Sequence, residues 1–190
     1  MEMDVIEKDA YMIFGLLWIL FGVLIFCCFT LLFHHCVPAS ANHTTRQAWK
    51  WKNIATSCTH ALITGLGAFL VMYLKPEIAE DLISTYSTPA HALVAISVGY
   101  FIVDSVDMYV NNKGRASYEL LVHHVFVILC FGLTVVVGYY LGYAIVALIC
   151  EVNSFFLHIR QLMLIQGVPK ETSCYRLNSL INIGSFPLVM

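Results

Sequence analysis

Residues 11–33 read YMIFGLLWILFGVLIFCCFTLLF, an apolar run of 23 residues without one charged side chain. A helix needs roughly 20 mostly apolar residues to cross the hydrocarbon core of a bilayer. The run therefore predicts a transmembrane helix near the N-terminus.

Four more apolar runs follow along the chain, over residues 53–74, 90–110, 118–138 and 139–165. A further run begins near residue 177 and stops at Met190, which is too short for a full crossing. Of the 190 residues, 59% are hydrophobic and 12% are charged, whereas about a quarter of a soluble domain is charged. We therefore predict an all-α, multi-pass transmembrane helical bundle with five complete spans and a truncated sixth, in a C-terminally shortened chain.

The distribution of lysine and arginine predicts how the chain is oriented in the membrane. Cytoplasmic loops carry the excess of basic residues. Alternate connections hold eight basic residues against two, and the eight are Arg46, Lys50, Lys52, Lys113, Arg115, Arg160, Lys170 and Arg176. We expect the N-terminus outside and the loops at 34–52 and 111–117 in the cytoplasm. Because Asn42 begins a glycosylation sequon, which is used only outside, a glycan on Asn42 would contradict this orientation.

The residues that lead into the second span have the composition of a membrane-interface anchor. Trp49 and Trp51 alternate with Lys50 and Lys52. Indole rings favour headgroup depth, and lysine ammonium groups reach lipid phosphates. Near the cytoplasmic end of the fifth span, the long side chain of Arg160 is expected to reach the same interface.

Glycines within the spans indicate where helices pack closely. A residue without a side chain lets two backbones approach each other in the bilayer. We expect this of Gly65, Gly67, Gly132 and Gly138.

Polar and ionisable side chains lie inside the predicted spans. A charged residue at the bilayer centre costs roughly 2.5–3.5 kcal/mol on insertion scales, so such residues face the interior of a bundle. We expect one polar cavity, to which the second to fifth spans contribute His60, Asp104, Asp107, His123, His124, Glu151, Asn153, Ser154 and His158.

Carboxylates and imidazoles suit proton transfer or acyl chemistry. His123 and His124 diverge by about 100° around a helix, so both cannot bind one metal ion without distortion. The chain has no C-x-x-C and no H-x-x-H-H array, and we expect neither a metal nor a cofactor. A net charge of −2 gives no indication of nucleic-acid binding. The alternative for each polar residue is a structural hydrogen bond between helices, worth about 0.6 kcal/mol.

At these residues the chain resembles the TLC domain family. The resemblance is carried by residues 49–53 (WKWKN) with Ser57 and His60, by 97–101 (SVGYF), by 121–124 (LVHH) and by 151–160 (EVNSFFLHIR). It covers residues 45–190. We therefore divide the chain into residues 1–44, with the N-terminal tail, the first transmembrane helix and the start of a cytoplasmic loop, and residues 45–190, a C-terminally incomplete TLC domain.

Within the family, the chain is most similar to the group of TLC domain-containing proteins 1 and 2. This resemblance implies a regulator of membrane phospholipid composition and fluidity, which limits the incorporation of polyunsaturated chains and so makes the membrane more rigid. It implies membrane lipids, mainly phospholipids, as the molecules the protein meets, without specifying a protein partner. It also implies the plasma membrane, with the endoplasmic reticulum as the alternative.

Ceramide synthases belong to the same family and suggest a second function. Their adjacent histidine pair falls on His123 and His124, and the first acid of their later H-D-x-S-D-x-x-L-E motif falls on Glu151. The alternative is thus a lipid acyltransferase that uses acyl-CoA, with His123 or His124 as nucleophile or base and Glu151 as the orienting acid. The chain departs from that motif at Cys150, Asn153, Ser154 and His158, so we expect a regulator rather than an enzyme. A third hypothesis is a membrane partner of a channel or transporter.

Overall fold

The computed structural model describes residues 5–111 and 114–185, and within these residues the regular structure is helical. A short 3₁₀ turn, Ala39–Ala41, follows the first helix. The α-helices are α1 (Val5–His35), α2 (Thr45–Leu74), α3 (Glu77–Glu80), α4 (Thr88–Asn111), α5 (Arg115–Val137), α6 (Leu141–Ile149), α7 (Glu151–Ile165) and α8 (Ser173–Ser185).

Five segments are long and apolar enough to cross a membrane: Ala10–His35, Thr45–Leu74, Thr88–Asn111, Ser117–Val137 and Leu141–Ile165. The predicted all-α membrane bundle with five spans is confirmed. In a bilayer a helix satisfies its own backbone hydrogen bonds, and the apolar length of each run was therefore sufficient to predict its structure.

Two of these spans differ in detail from the prediction. The helix of the second span begins at Thr45, eight residues before the predicted apolar run. The hydropathy of the run did not indicate this start, because the first two turns of the helix are polar. The fifth span is interrupted at Cys150, which separates α6 from α7. There the N–H of Asn153 donates to the carbonyl of Cys150, three residues earlier rather than four, which tightens the turn.

The sixth apolar run also forms a helix. It begins at Ser173 and continues to Ser185 as α8. Its 13 residues extend about 20 Å, which is shorter than the hydrocarbon core of about 30 Å. Residues 186–190, where the predicted sixth span continues, lie outside the described residues.

The chain divides into two compact units. The first comprises Met1–Cys27 and Gly67–Ala147, and the second comprises Cys28–Leu66 and Leu148–Met190. The predicted division of the chain at residues 44 and 45 stays a prediction.

In the first unit, α1 and α4 touch backbone to backbone. A Cβ added at Gly99 of α4 would lie 2.6 Å from the carbonyl oxygen of Ile19 and from the amide nitrogen of Val23. One added at Gly22 of α1 would lie 2.6 Å from the carbonyl oxygen of Ile96. These two glycines therefore set the distance between the helices.

The four glycines expected to permit helix contact have different roles. In the second unit, an added Cβ at Gly65 would lie 2.9 Å from the backbone nitrogen of Val152, so the expectation is confirmed there. In the first unit, an added Cβ at Gly67 would lie 2.9 Å from the side chain of Leu93. At Gly132 the prediction is wrong, because no atom of another helix among the described residues lies within 4 Å of an added Cβ. Gly138 instead ends α5 with a left-handed φ of 72°, a conformation that favours glycine.

Candidate functional site

His124 of α5 and Asp104 of α4 form a buried pair in the first unit. The Nδ1 atom of His124 lies 3.4 Å from Oδ2 of Asp104, and the two side chains are only 6% and 5% exposed. The ring of Phe101 packs edge-on against the imidazole, with 5.1 Å between centroids. The two polar groups are within ion-pair distance, although the Nδ1 geometry falls short of a hydrogen bond. An acid beside an imidazole nitrogen is the arrangement that orients a histidine base in many enzymes.

The position of Asp104 follows from the periodicity of α4. Ser97, Phe101, Asp104 and Met108 are all buried, and their spacing of four, three and four residues keeps them on one helical face. The same face thus presents a small polar residue, an aromatic ring and an acid to neighbouring helices. A carboxylate in this position needs a polar neighbour, and His124 supplies one.

The structure separates the two adjacent histidines. His123 is exposed, whereas His124 is 5% exposed. Their rings are 5.9 Å apart and tilted by 53°. Asp107, one turn beyond Asp104, is only half-buried, and its carboxylate accepts a hydrogen bond of 3.1 Å from Nδ2 of Asn111. Of the predicted cavity residues in this unit, the structure therefore brings together His124 and Asp104.

The remaining candidates belong to the second unit. Glu151 is half-buried, and the hydroxyl of Ser154 on the same helix is its hydrogen-bond donor. His60 is 1% exposed, and its backbone carbonyl accepts a hydrogen bond of 2.8 Å from the Thr64 hydroxyl. His158 is half-buried, and its Nδ1 has no hydrogen-bond partner among the described residues. The catalytic roles of His123, His124 and Glu151 stay predictions.

Asn153 has a packing role in this unit. Its side-chain oxygen accepts hydrogen bonds of 2.9 Å from Nδ2 of Asn182 and 3.0 Å from Oγ of Ser185. Its backbone carbonyl accepts a third bond of 3.1 Å from Asn182. Farther along the same pair of helices, Nδ2 of Asn178 donates to the carbonyl of Phe156 at 2.9 Å. Polar side chains of α8 therefore hold this helix against α7.

Sequence reasoning missed the α8 side of this network. Asn178, Asn182 and Ser185 are spaced by four and three residues, which places them on one helical face. That spacing was the available signal. It lies in a run that is too short to cross the bilayer, where polar residues do not by themselves indicate the interior of a bundle.

Replacing Asn182 with leucine is expected to loosen α8 from α7. The substitution keeps the side-chain size but removes two interhelical hydrogen bonds, each worth about 0.6 kcal/mol in a membrane protein. We expect the free energy of unfolding in mixed micelles to fall by about 1 kcal/mol. Ser179→Ala is the matched control, because the Ser179 hydroxyl donates to the carbonyl of Tyr175 in its own helix. Equal effects of the two substitutions would contradict the packing role.

The predicted interface residues lie in the second unit. Lys50 is exposed, and Trp49, Trp51 and Lys52 are half-buried in the first turns of α2. The indole of Trp51 packs edge-on against Phe33, with 6.2 Å between ring centroids. Arg160 of α7 is half-buried. Their depth in a bilayer stays a prediction.

One polar cluster of the first unit was not predicted. His91 of α4 is fully buried. Its Nε2 lies 2.9 Å from the carbonyl oxygen of Val135, and its Nδ1 lies 3.2 Å from the hydroxyl of Tyr86. These partners are 44 and 5 residues away along the chain, so no helical spacing indicated the cluster. Among the described residues, no group of three or more histidine, cysteine, aspartate or glutamate side chains is arranged to hold a metal ion.

Comparison with known proteins assigns the chain to a family. The family model of the TLC domain matches residues 50–189. The chain belongs to the TLC domain family. The predicted resemblance is thereby confirmed, and the family's domain includes both His124 and Asp104.

Several relatives in this family align over most of the chain. TLC domain-containing protein 2 of Danio rerio is 52% identical over 79% of this chain and 59% of its own length. TLC domain-containing protein 1 of Gallus gallus is 36% identical over 77% of this chain and 58% of its own length. TLC domain-containing protein 2 of Homo sapiens is 40% identical over 67% of this chain and 47% of its own length. The chain thus spans about three fifths or less of these relatives, and no solved structure matches it.

Proposed function

We propose that this TLC domain protein regulates the phospholipid composition of the membrane that it spans. It limits the incorporation of polyunsaturated acyl chains and so favours a more rigid bilayer. The similarity to TLC domain-containing proteins 1 and 2 supports a role in common with that group. The bias of basic residues supports an N-terminus outside the cell, and we place the protein in the plasma membrane.

The role of Asn153 in helix packing is the observation that favours a regulator over an enzyme. This residue stands where the ceramide-synthase motif has a serine. Its side-chain oxygen is occupied by Asn182 and Ser185 of α8. A group that holds two helices together is not available to a substrate, so this part of the motif serves packing.

A second function, lipid acyl transfer, is favoured by the pair of His124 and Asp104. Because Nδ1 of His124 faces Asp104, Nε2 is the ring nitrogen left to act as base. In this reaction Nε2 takes the proton of an acceptor hydroxyl or amine, whose oxygen or nitrogen attacks the thioester carbon of acyl-CoA. The new ester or amide forms as the carbon–sulfur bond breaks, and the proton passes to the departing thiolate. Asp104 here takes the orienting role that was predicted for Glu151.

Expression in cells that lack the protein separates the two functions. Wild type and His124→Ala, compared at equal abundance, are expected to lower the polyunsaturated fraction of phospholipids equally, as measured by lipid mass spectrometry. The regulatory role does not use the imidazole as a base, so its loss should leave this change intact. His123→Ala is the matched control, because it removes the adjacent but exposed ring.

An acyl-transfer assay of the purified full chain tests the enzymatic alternative. Wild-type protein supplied with acyl-CoA and lysophospholipid is expected to form no acylated product. Product that wild type and His123→Ala form, and that His124→Ala does not, would replace the regulatory proposal with the enzymatic one.

A further inference from the structure

A cavity of about 340 Å³, largely open on one side, lies in the first unit, at the ends of α1 and α4 where these helices begin. Its lining consists of Ala10, Tyr11, Phe14, Tyr86 and Thr88. Three of these five residues are aromatic. The volume is in the range of small-ligand sites, which are usually about 300–1,000 Å³.

The aromatic rings of the cavity contact one another and the neighbouring imidazole of His91. The rings of Tyr11 and Tyr86 lie 4.5 Å apart between centroids, with 70° between their planes. Phe14 stacks on the imidazole of His91 at 5.7 Å, with 26° between planes. Tyr11, Phe14 and Tyr86 thus bring three aromatic rings to the lining of one cavity, and several rings around one space are the composition of an aromatic cage.

Hydrogen bonds hold the wall of the cavity in place. The Val135 carbonyl can only accept, so Nε2 of His91 carries the proton and donates to it. When the ring is neutral, Nδ1 accepts a hydrogen bond from the Tyr86 hydroxyl. Burial raises the pKa of the Tyr86 phenol, which keeps this donor protonated. His91 thus contacts both Tyr86 and Phe14 and fixes their orientation.

The chain that leads into α4 adds negative charge on the same side. Glu77, Glu80 and Asp81 are exposed there, against the single base Lys75. Hydrogen bonds from the Ser84 hydroxyl and from the backbone N–H groups of Ser84 and Ile83 lower the pKa of Asp81, which stays ionised. Carboxylates in this connection favour a cationic ligand over an anionic one.

We propose that this cavity is an aromatic cage for a quaternary ammonium group, that of a choline phospholipid headgroup. A quaternary ammonium ion cannot donate hydrogen bonds and is recognised through aromatic π faces. The cavity lies where the spans Ala10–His35 and Thr88–Asn111 begin, and we expect the ends of the spans to lie at the depth of the headgroups. The proposal concerns residues separate from His124 and Asp104, and it does not rest on the proposed function.

Native mass spectrometry of the purified full chain tests the cage. The probes are a phosphatidylcholine, a phosphatidylethanolamine with the same acyl chains, and free choline. We expect the choline lipid to bind at least about threefold more tightly than the ethanolamine lipid, which corresponds to a weak cation–π contribution. Choline itself, added in excess, is expected to reduce binding of the choline lipid, whereas ethanolamine is not.

Variants at Tyr11 test whether the preference for the choline lipid depends on the cavity. Tyr11→Leu keeps much of the volume but removes a π face, and it is expected to abolish the preference for choline lipid. Tyr11→Phe keeps the ring and is expected to keep the preference. Tyr143→Leu is the matched control, because Tyr143 is an exposed tyrosine outside the cavity lining.

Two results would contradict the proposal that this cavity binds a quaternary ammonium group. One is equal binding of the two lipids to the wild type. The other is an unchanged preference in Tyr11→Leu, with the protein still monodisperse. If Tyr11→Leu does not fold, the decisive comparison is choline competition in wild type and Tyr11→Phe, and its failure in both counts against the proposal.

Discussion

Gly99→Ala is expected to disrupt the packing of α1 against α4. The added methyl group would lie 2.6 Å from backbone atoms of Ile19 and Val23, and backbone cannot rotate away as a side chain can. Overpacking costs about 1–3 kcal/mol even where side chains can adjust. We expect a loss in this range or above it, seen as a much lower yield of monodisperse protein and a lower free energy of unfolding in mixed micelles.

Gly132→Ala is the matched control for Gly99→Ala. Gly132 also lies within a membrane-spanning helix, but in the part of the chain that the structure describes an added Cβ would meet no other helix within 4 Å. Alanine is favoured over glycine in a helix by about 0.8–1.0 kcal/mol, so this variant is expected to be as stable as the wild type or slightly more stable. Normal folding of Gly99→Ala would show that the two helices can separate without cost.

The second large effect is expected at Asp104. In Asp104→Ala, the Nδ1 atom of His124 loses its polar neighbour in a buried site. Removing one member of a buried polar pair costs about 1–3 kcal/mol, and we expect the free energy of unfolding to fall by this amount. Asp107→Ala is the control, because Asp107 is half-buried and its carboxylate accepts a hydrogen bond from Asn111 of the same helix. It is expected to change stability by less than about 1 kcal/mol.

A double-mutant cycle distinguishes the pair from two independent residues. Asp104→Leu together with His124→Leu removes both polar groups, so neither is left buried alone. Replacing both partners with apolar groups is often nearly neutral. We expect the double variant to be more stable than the sum of the single effects predicts, by about 1 kcal/mol or more. Simple additivity would mean that the 3.4 Å contact contributes nothing to stability.

The candidate site was only partly predictable. His124 and Asp104 were both predicted to face inward, because charge inside a span is costly. Their pairing was not predictable, since it depends on the rotation of α5 about its axis relative to α4. The same rotation exposes His123. Of the two histidines that are adjacent in the sequence, His124 is therefore buried and His123 is exposed.

Other contacts could not be predicted from any single segment of the sequence. His91 is held by Tyr86 and by the carbonyl of Val135, and a backbone carbonyl has no residue type to recognise. Asn182 has a recognisable type, but its acceptor, Asn153, is 29 residues away. Such pairs become visible only when the packing of the helices is known.

The apolar run at residues 11–33 and the four that follow it determined by themselves that this is a membrane-spanning helical protein. The reason is local: the bilayer excludes water, and each helix satisfies its own backbone. Only the tertiary structure decided the rest, namely the glycines at which helices touch, the separation of His123 from His124, and the aromatic cavity around Tyr11 and Tyr86. These features depend on how one helix is rotated and placed against another, which hydropathy does not encode.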